Sequence, residues 1–154
     1  MRDGPPPRHD RSMILETFIR DELAPVRLRL EDYLGGWLAI AFFPPGMASH
    51  PELARFEQLR AEFADQDALL LGASIDSWFE LRTAPASFPL VADTRGLLAA
   101  AHGALADGEP RFGTVLIDPS GRVRHSRLGD GPSATAALQA LRGLRGCRLL
   151  RLVA

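Results

Sequence analysis

The densest run of side chains able to do chemistry is Ser49-His50-Pro51-Glu52. A serine, an imidazole and a carboxylate within four positions could supply a nucleophile and an acid–base pair. Cys147 is the chain's one thiol; its neighbours Arg145, Arg148 and Arg151 could lower its pKa, but the first reading is a small residue in a tail. The same four residues also read as the start of a helix. Ser49 can accept from the N–H of Glu52 while the Glu52 carboxylate reaches back, a capping box. Pro51 in the first turn sacrifices no helical hydrogen bond. The helix-start reading comes first, and His50 at a pocket mouth with Glu52 beside it is the functional one. His50, His102 and His125 lack any ligand spacing, so no metal and no cofactor is expected. His102 is placed on a helix after Asp93 and His125 on an exposed strand face.

The elements that must position these groups follow from periodicity. Residues 37–43 (WLAIAFF) and 68–75 (ALLLGASI) are continuous apolar runs, as in strands buried on both faces. Residues 51–63 place Leu53, Phe56, Leu59 and Phe63 on one face of a helix. A short helix is expected over 76–82, a short strand over 88–92 and an Ala/Leu-rich helix over 94–104. Residues 114–117 and 122–128 read as strands around the turn Asp118-Pro119-Ser120-Gly121. A closing helix is expected over 133–144, with Ser133 as its N-cap. Residues 12–20 fit either a strand or a helical turn. This alternation implies a layered α/β domain with a mixed sheet. Residues 1–12, with three consecutive prolines, read as a disordered tail. The domain is expected over 13–146, followed by an apolar C-terminal tail over 147–154.

Several segments resemble the peroxiredoxins, the alkyl hydroperoxide reductase/thiol-specific antioxidant (redoxin) family. They are Leu30-Glu31-Asp32-Tyr33-Leu34-Gly35-Gly36-Trp37, Phe42-Phe43-Pro44, Gly72-Ala73-Ser74-Ile75-Asp76-Ser77, Phe88-Pro89-Leu90-Val91-Ala92-Asp93 with Ala101-His102-Gly103, and Leu116-Ile117-Asp118-Pro119-Ser120-Gly121. The resemblance implies a thioredoxin-like three-layer fold, a mixed central sheet flanked by helices. It also implies a peroxidatic cysteine at a helix start, and this chain has none there. Counting the family's proline–hydroxyl–cysteine spacing from Pro44 puts Ala48 at the hydroxyl position and Pro51 at the cysteine position. Aligning on the following Pro-x-Glu puts His50 or Ser49 there instead. The family's arginine before the hairpin strand falls on Phe112, with Arg111 one residue away, and a one-residue slip reverses a strand side chain. Cys147 stands where two-cysteine members carry a resolving thiol, without a peroxidatic partner.

Net charge is −1, with 18 basic residues, all arginine, against 19 acidic ones, so nothing favours nucleic acid or an anionic membrane. No apolar run approaches the roughly 20 residues of a membrane span. A single cysteine and the lack of a secretory leader fit the cytoplasm. Three functions compete. One is a non-catalytic binding or oligomerisation module, as in cysteine-less redoxin domains joined to iron-dependent oxygenases. The second is an enzyme that reuses the pocket through Ser49, His50, Glu52 or Arg111. The third is a thiol peroxidase whose cysteine has been replaced by Ser49. Thiol peroxidase activity is expected to be absent or very weak. A homodimer or a protein partner is expected, with Trp78 and Phe79 just after the second core strand as contact residues.

Overall fold

A computed structural model describes residues 14–18, 26–29 and 35–153, with side chains described for 35–146. The expected N-terminal tail lies outside the described residues. Strand β1 spans Ile14–Phe18, which resolves the ambiguity at 12–20, and β2 spans Val26–Arg29. Strand β3 is Trp37–Phe42 and runs into α1, Pro51–Gln58, and α2, Arg60–Asp65. Strand β4, Ala68–Ser74, leads to the single-turn helix α3, Trp78–Leu81, and on to β5, Leu90–Ala92. Helix α4, Leu97–Ala101, is followed by a small hairpin of β6, Leu105–Ala106, and β7, Glu109–Pro110. Strands β8, Gly113–Ile117, and β9, Val123–Leu128, precede α5, Ala134–Val153.

Seven strands form one mixed sheet in the order β2-β1-β5-β4-β3-β8-β9. Strands β3, β4 and β5 are parallel, and the other pairings are antiparallel. The period-two alternation of β3 divides the core between the two faces of the sheet. Trp37, Ala39, Ala41 and Phe43 face a cluster completed by Leu53 and Phe56 of α1, Phe63 of α2, Leu81 of α3 and Ala137, Leu138 and Leu141 of α5. Leu38, Ile40 and Phe42 join Leu71, Val91 and Val115 beneath Leu98 of α4. The architecture is the expected three-layer one, helices on both faces of a mixed sheet.

Four details depart from the sequence reading. The helix over 51–63 breaks at Leu59, whose φ of −94° and ψ of 3° end α1 before α2 begins. The helix over 94–104 shrinks to α4, because Gly96 (φ 68°) and Gly103 (φ 78°) bracket it in left-handed conformations. The β6–β7 hairpin was not foreseen, although Asp107 (φ 54°) and Gly108 (φ 77°) supply the Asp-Gly turn that favours one. Helix α5 does not stop at Leu144 and continues to Val153, through the segment read as a tail.

Candidate functional site

The parallel pairing of β3 with β4 puts both carboxyl ends at one edge of the sheet, where loops gather in open α/β folds. After β3 the chain passes the buried Phe43 and reaches Gly46, whose φ of 89° turns it into a single 3-10 turn at Met47–Ser49. A side chain there would be strained, since L-residues avoid that region. The turn is anchored from β4. Asp76 is only 6% exposed, and its two carboxylate oxygens accept the N–H of Gly46 at 3.1 and 3.0 Å. The N–H of Met47 donates to Oδ2 at 3.0 Å and the Ser74 hydroxyl to the same oxygen at 2.8 Å. Three donors thus compensate the burial of one carboxylate.

The capping box expected at Ser49 and Glu52 does not form. Ser49 is exposed and lies in the 3-10 turn, with its N–H donating to Gly46 O at 3.1 Å. His50 is the N-cap instead, and its Nδ1 accepts the N–H of Glu52 at 3.1 Å. Its carbonyl accepts the N–H of Leu53 at 3.1 Å, and its ring stands edge-on to Phe43 at 5.1 Å. The reason is positional: the 3-10 turn delays helix entry by one residue, so the cap falls on the histidine. A true capping box forms at α3, where Ser77 Oγ accepts from Glu80 N–H at 3.4 Å and Glu80 Oε1 accepts from Ser77 N–H at 3.0 Å. The carboxylate of Glu52 turns away from its own helix start and accepts the N–H of Ala134 at 2.9 Å. There it meets α5, whose expected N-cap Ser133 accepts from Ala136 N–H at 3.2 Å.

This geometry limits the chemistry. With the Nδ1 lone pair directed at the backbone, the neutral imidazole of His50 carries its proton on Nε2 and presents a donor, not a base. The N–H groups that could hold an anion at the start of α1 are engaged, Pro51 having none to offer. Pro44 and Ala48 line the turn half-buried, and Pro51 is exposed. Arg111 is exposed just ahead of β8, and among the described residues its guanidinium makes no hydrogen bond or ion pair. Ser49, His50 and Glu52 are neighbours in sequence, yet His50 Nδ1 faces the Glu52 amide, the Glu52 carboxylate faces the Ala134 amide and the Ser49 side chain is exposed. The side chain of Cys147 lies outside the described residues.

The other histidines belong elsewhere. His102 caps the C-terminus of α4, only 4% exposed, with Nδ1 2.9 Å from Leu98 O. Burial lowers its pKa, against the opposing pull of that carbonyl and of Asp93. Asp93 grips the other end of α4, accepting from the N–H groups of Leu98 and Ala99, both at 3.0 Å. His125 is half-buried on β9 opposite Leu116. Among the described residues, no three His, Cys, Asp or Glu side chains gather as a metal set. Asp76 is the residue that sequence reasoning missed. The available signal was a carboxylate directly after a buried strand, at the edge where the neighbouring parallel strand also ends.

A family model described as the AhpC/TSA family matches residues 17–126. The chain is 36% identical to alkyl hydroperoxide reductase C of Mycolicibacterium smegmatis, over 64% of this chain and 56% of that one. It is 30% identical to peroxiredoxin TSA1 of Saccharomyces cerevisiae, over 67% and 60%. The chain spans about half the length of the curated relatives it matches. Among solved structures, Mycobacterium tuberculosis AhpC superimposes with a TM-score of 0.74 at 23% identity, covering 90% of this chain and 92% of that one. The Xanthomonas campestris bacterioferritin comigratory protein, solved in work on its alkyl peroxide reduction activity, gives 0.74 at 26%, covering 92% and 96%.

Proposed function

The chain belongs to the AhpC/TSA family, and we propose that within it the chain is a non-catalytic binding or oligomerisation module. One observation carries this reading: at the helix start where the family holds a thiolate, the N–H of Glu52 is taken by the imidazole of His50. The dipole and donors that would stabilise a sulfur anion serve a helix cap instead. No cysteine occurs between residues 44 and 53, and no other side chain there offers an equally nucleophilic sulfur.

The surfaces such a module needs are available. Trp78 is half-buried and Phe79 is 56% exposed, their rings crossing 6.0 Å apart. A second copy is the first partner to test, since twofold homodimers are the commonest soluble assembly. An iron-dependent oxygenase, of the kind that cysteine-less redoxin domains accompany, is a second. The described helices include none long and apolar enough to cross a membrane, and a cytoplasmic setting suits the single thiol. A repurposed enzyme built on Ser49, His50, Glu52 and Arg111 is the second reading; the hydrogen bonds of His50 and Glu52 to backbone amides support the first. A peroxidase whose cysteine became Ser49 would need that residue at the helix cap, and it stands one residue before it.

Hydrogen peroxide consumption with dithiothreitol or thioredoxin is expected to match a Cys147→Ser control. Efficient turnover that disappears in Cys147→Ser would overturn the reading and make the lone thiol a peroxidatic one.

A further inference from the structure

We propose that α4 is a lid over one face of the sheet, hinged at Gly96 and Gly103, and that His102 is the latch that lets it open in acid. The device does not depend on which partner the Trp78–Phe79 face takes.

What α4 covers, and how little holds it, make it a lid. The apolar cluster on this face draws its side chains from β3, β4, β5 and β8, and α4 is the only described helix that contributes to it. The contribution is one fully buried residue, Leu98, with Ala99 packed at its margin. Leu97, beside it, is 57% exposed. A helix of five residues has no stability of its own, because the first turn fixes more of the backbone than its hydrogen bonds repay. Glycines in left-handed conformations bracket it, with φ 68° at Gly96 and 78° at Gly103. Without a Cβ, such positions absorb the backbone rotations of a hinge at little cost.

Two clamps keep the lid closed. At the first turn the Asp93 carboxylate accepts the N–H groups of Leu98 and Ala99, and the N–H of Asp93 ties it to β4, 2.7 Å from Ser74 O. At the last turn His102 is buried, with Nδ1 2.9 Å from Leu98 O and its ring 6.5 Å from that of Phe42. A carbonyl only accepts, so Nδ1 carries the hydrogen of the neutral ring and Nε2 is the nitrogen that takes up a second proton. The closed lid then holds a cation against an apolar face, whereas the open lid releases it to water. Burial accordingly sets the ring's pKa below its ordinary value, against the opposing effects of the Leu98 carbonyl and Asp93. Among the described residues Asp93 is the charged group that bears on the ring, and it favours the proton. Arg95 in the same turn, Asp107 and Glu109 of the β6–β7 hairpin, and Arg111 are exposed. The strands beneath α4 bring only apolar side chains to the cluster. The open form binds the proton more tightly, so acid shifts the lid toward it from about pH 6.5 downward.

Native-state hydrogen exchange on the full chain, followed by NMR at pH 7.5 and 5.5 and corrected for intrinsic rates, tests both parts. The probes are the amides of Ala100 and Ala104, which bond to Gly96 O and Ala99 O in the closed lid. The references are Ile40 and Val115, paired in the middle of the sheet. At both pH values Ala100 and Ala104 are expected to exchange faster than the references and without response to dilute urea, as in a local opening. Their opening constant is expected to rise about threefold or more at pH 5.5. His102→Gln is expected to abolish that rise while the local opening persists. Probes that exchange only together with Ile40 and Val115, with the same urea dependence, would overturn the lid. A rise that survives His102→Gln, or no rise in the parent chain, would overturn the latch. If His102→Gln does not fold, the NMR titration of the His102 ring in the parent chain decides. Its midpoint must fall in the pH range where Ala100 and Ala104 accelerate, and a ring that titrates without that acceleration overturns the latch as well.

Discussion

At the scale of single residues, the helix cap separates what the side chains can do from what their types suggest. Ser49→Ala is expected to leave stability within about 0.5 kcal/mol, since the exposed hydroxyl caps nothing. His50→Ala is expected to lower it by about 1 kcal/mol through loss of the Nδ1 acceptor. Urea unfolding of the two variants checks both, and the reverse ranking would restore Ser49 as the cap. His102 gives a pH dependence of defined sign. Burial depresses its folded-state pKa below the ordinary 6.5, so the unfolded chain binds the proton first. Its contribution is complete above about pH 6.5 and declines as acid approaches the lowered value. The urea midpoint should therefore fall between pH 7.5 and 5.5, and His102→Gln should flatten that slope.

At the scale of elements, strands were easier to read than the joints between them. Both faces of β3 and β4 are covered, so their apolar runs announced them without reference to the rest of the fold. The start of α1 was legible as a helix, because Pro51, Leu53 and Phe56 carry the signal locally. Its cap was not, because whether Ser49 or His50 takes that place depends on a turn fixed by a carboxylate from another strand. Asp76→Ala would strand the N–H groups of Gly46 and Met47 and the hydroxyl of Ser74. It should cost about 3 kcal/mol, as buried donors lose their acceptor. A loss below about 1 kcal/mol in chemical denaturation would mean that the loop rebuilds its bonds elsewhere. Gly113 makes a similar point for β8: a Cβ there would run into the carbonyl oxygen of Arg127 on β9, a contact invisible without the pairing.

At the scale of the whole molecule, the fold class was legible in the alternation of elements and in the order of the matching segments. Strands β1 and β2, at one side of the sheet, were less so, being short and without a distinctive period. The aromatic face of α3 is where assembly should be sought. Sedimentation equilibrium at micromolar concentration is expected to report a species heavier than one chain. Trp78→Glu should return it to the monomer with its circular dichroism unchanged. A strictly monomeric chain before and after the substitution would leave a different protein as the partner.

The bond from Ala134 to Glu52 spans 82 positions of sequence. It has a consequence for the order in which the chain can fold. During synthesis the first turn of α1 emerges long before α5, and the carboxylate that will steady both helices has no amide to meet. Until Ala137, Leu138 and Leu141 arrive, one face of the sheet lacks part of its cover. Domains tend to collapse as units, and contacts between distant segments are among the slowest to form. The helix cap is thus completed late, by a helix that emerges long after α1.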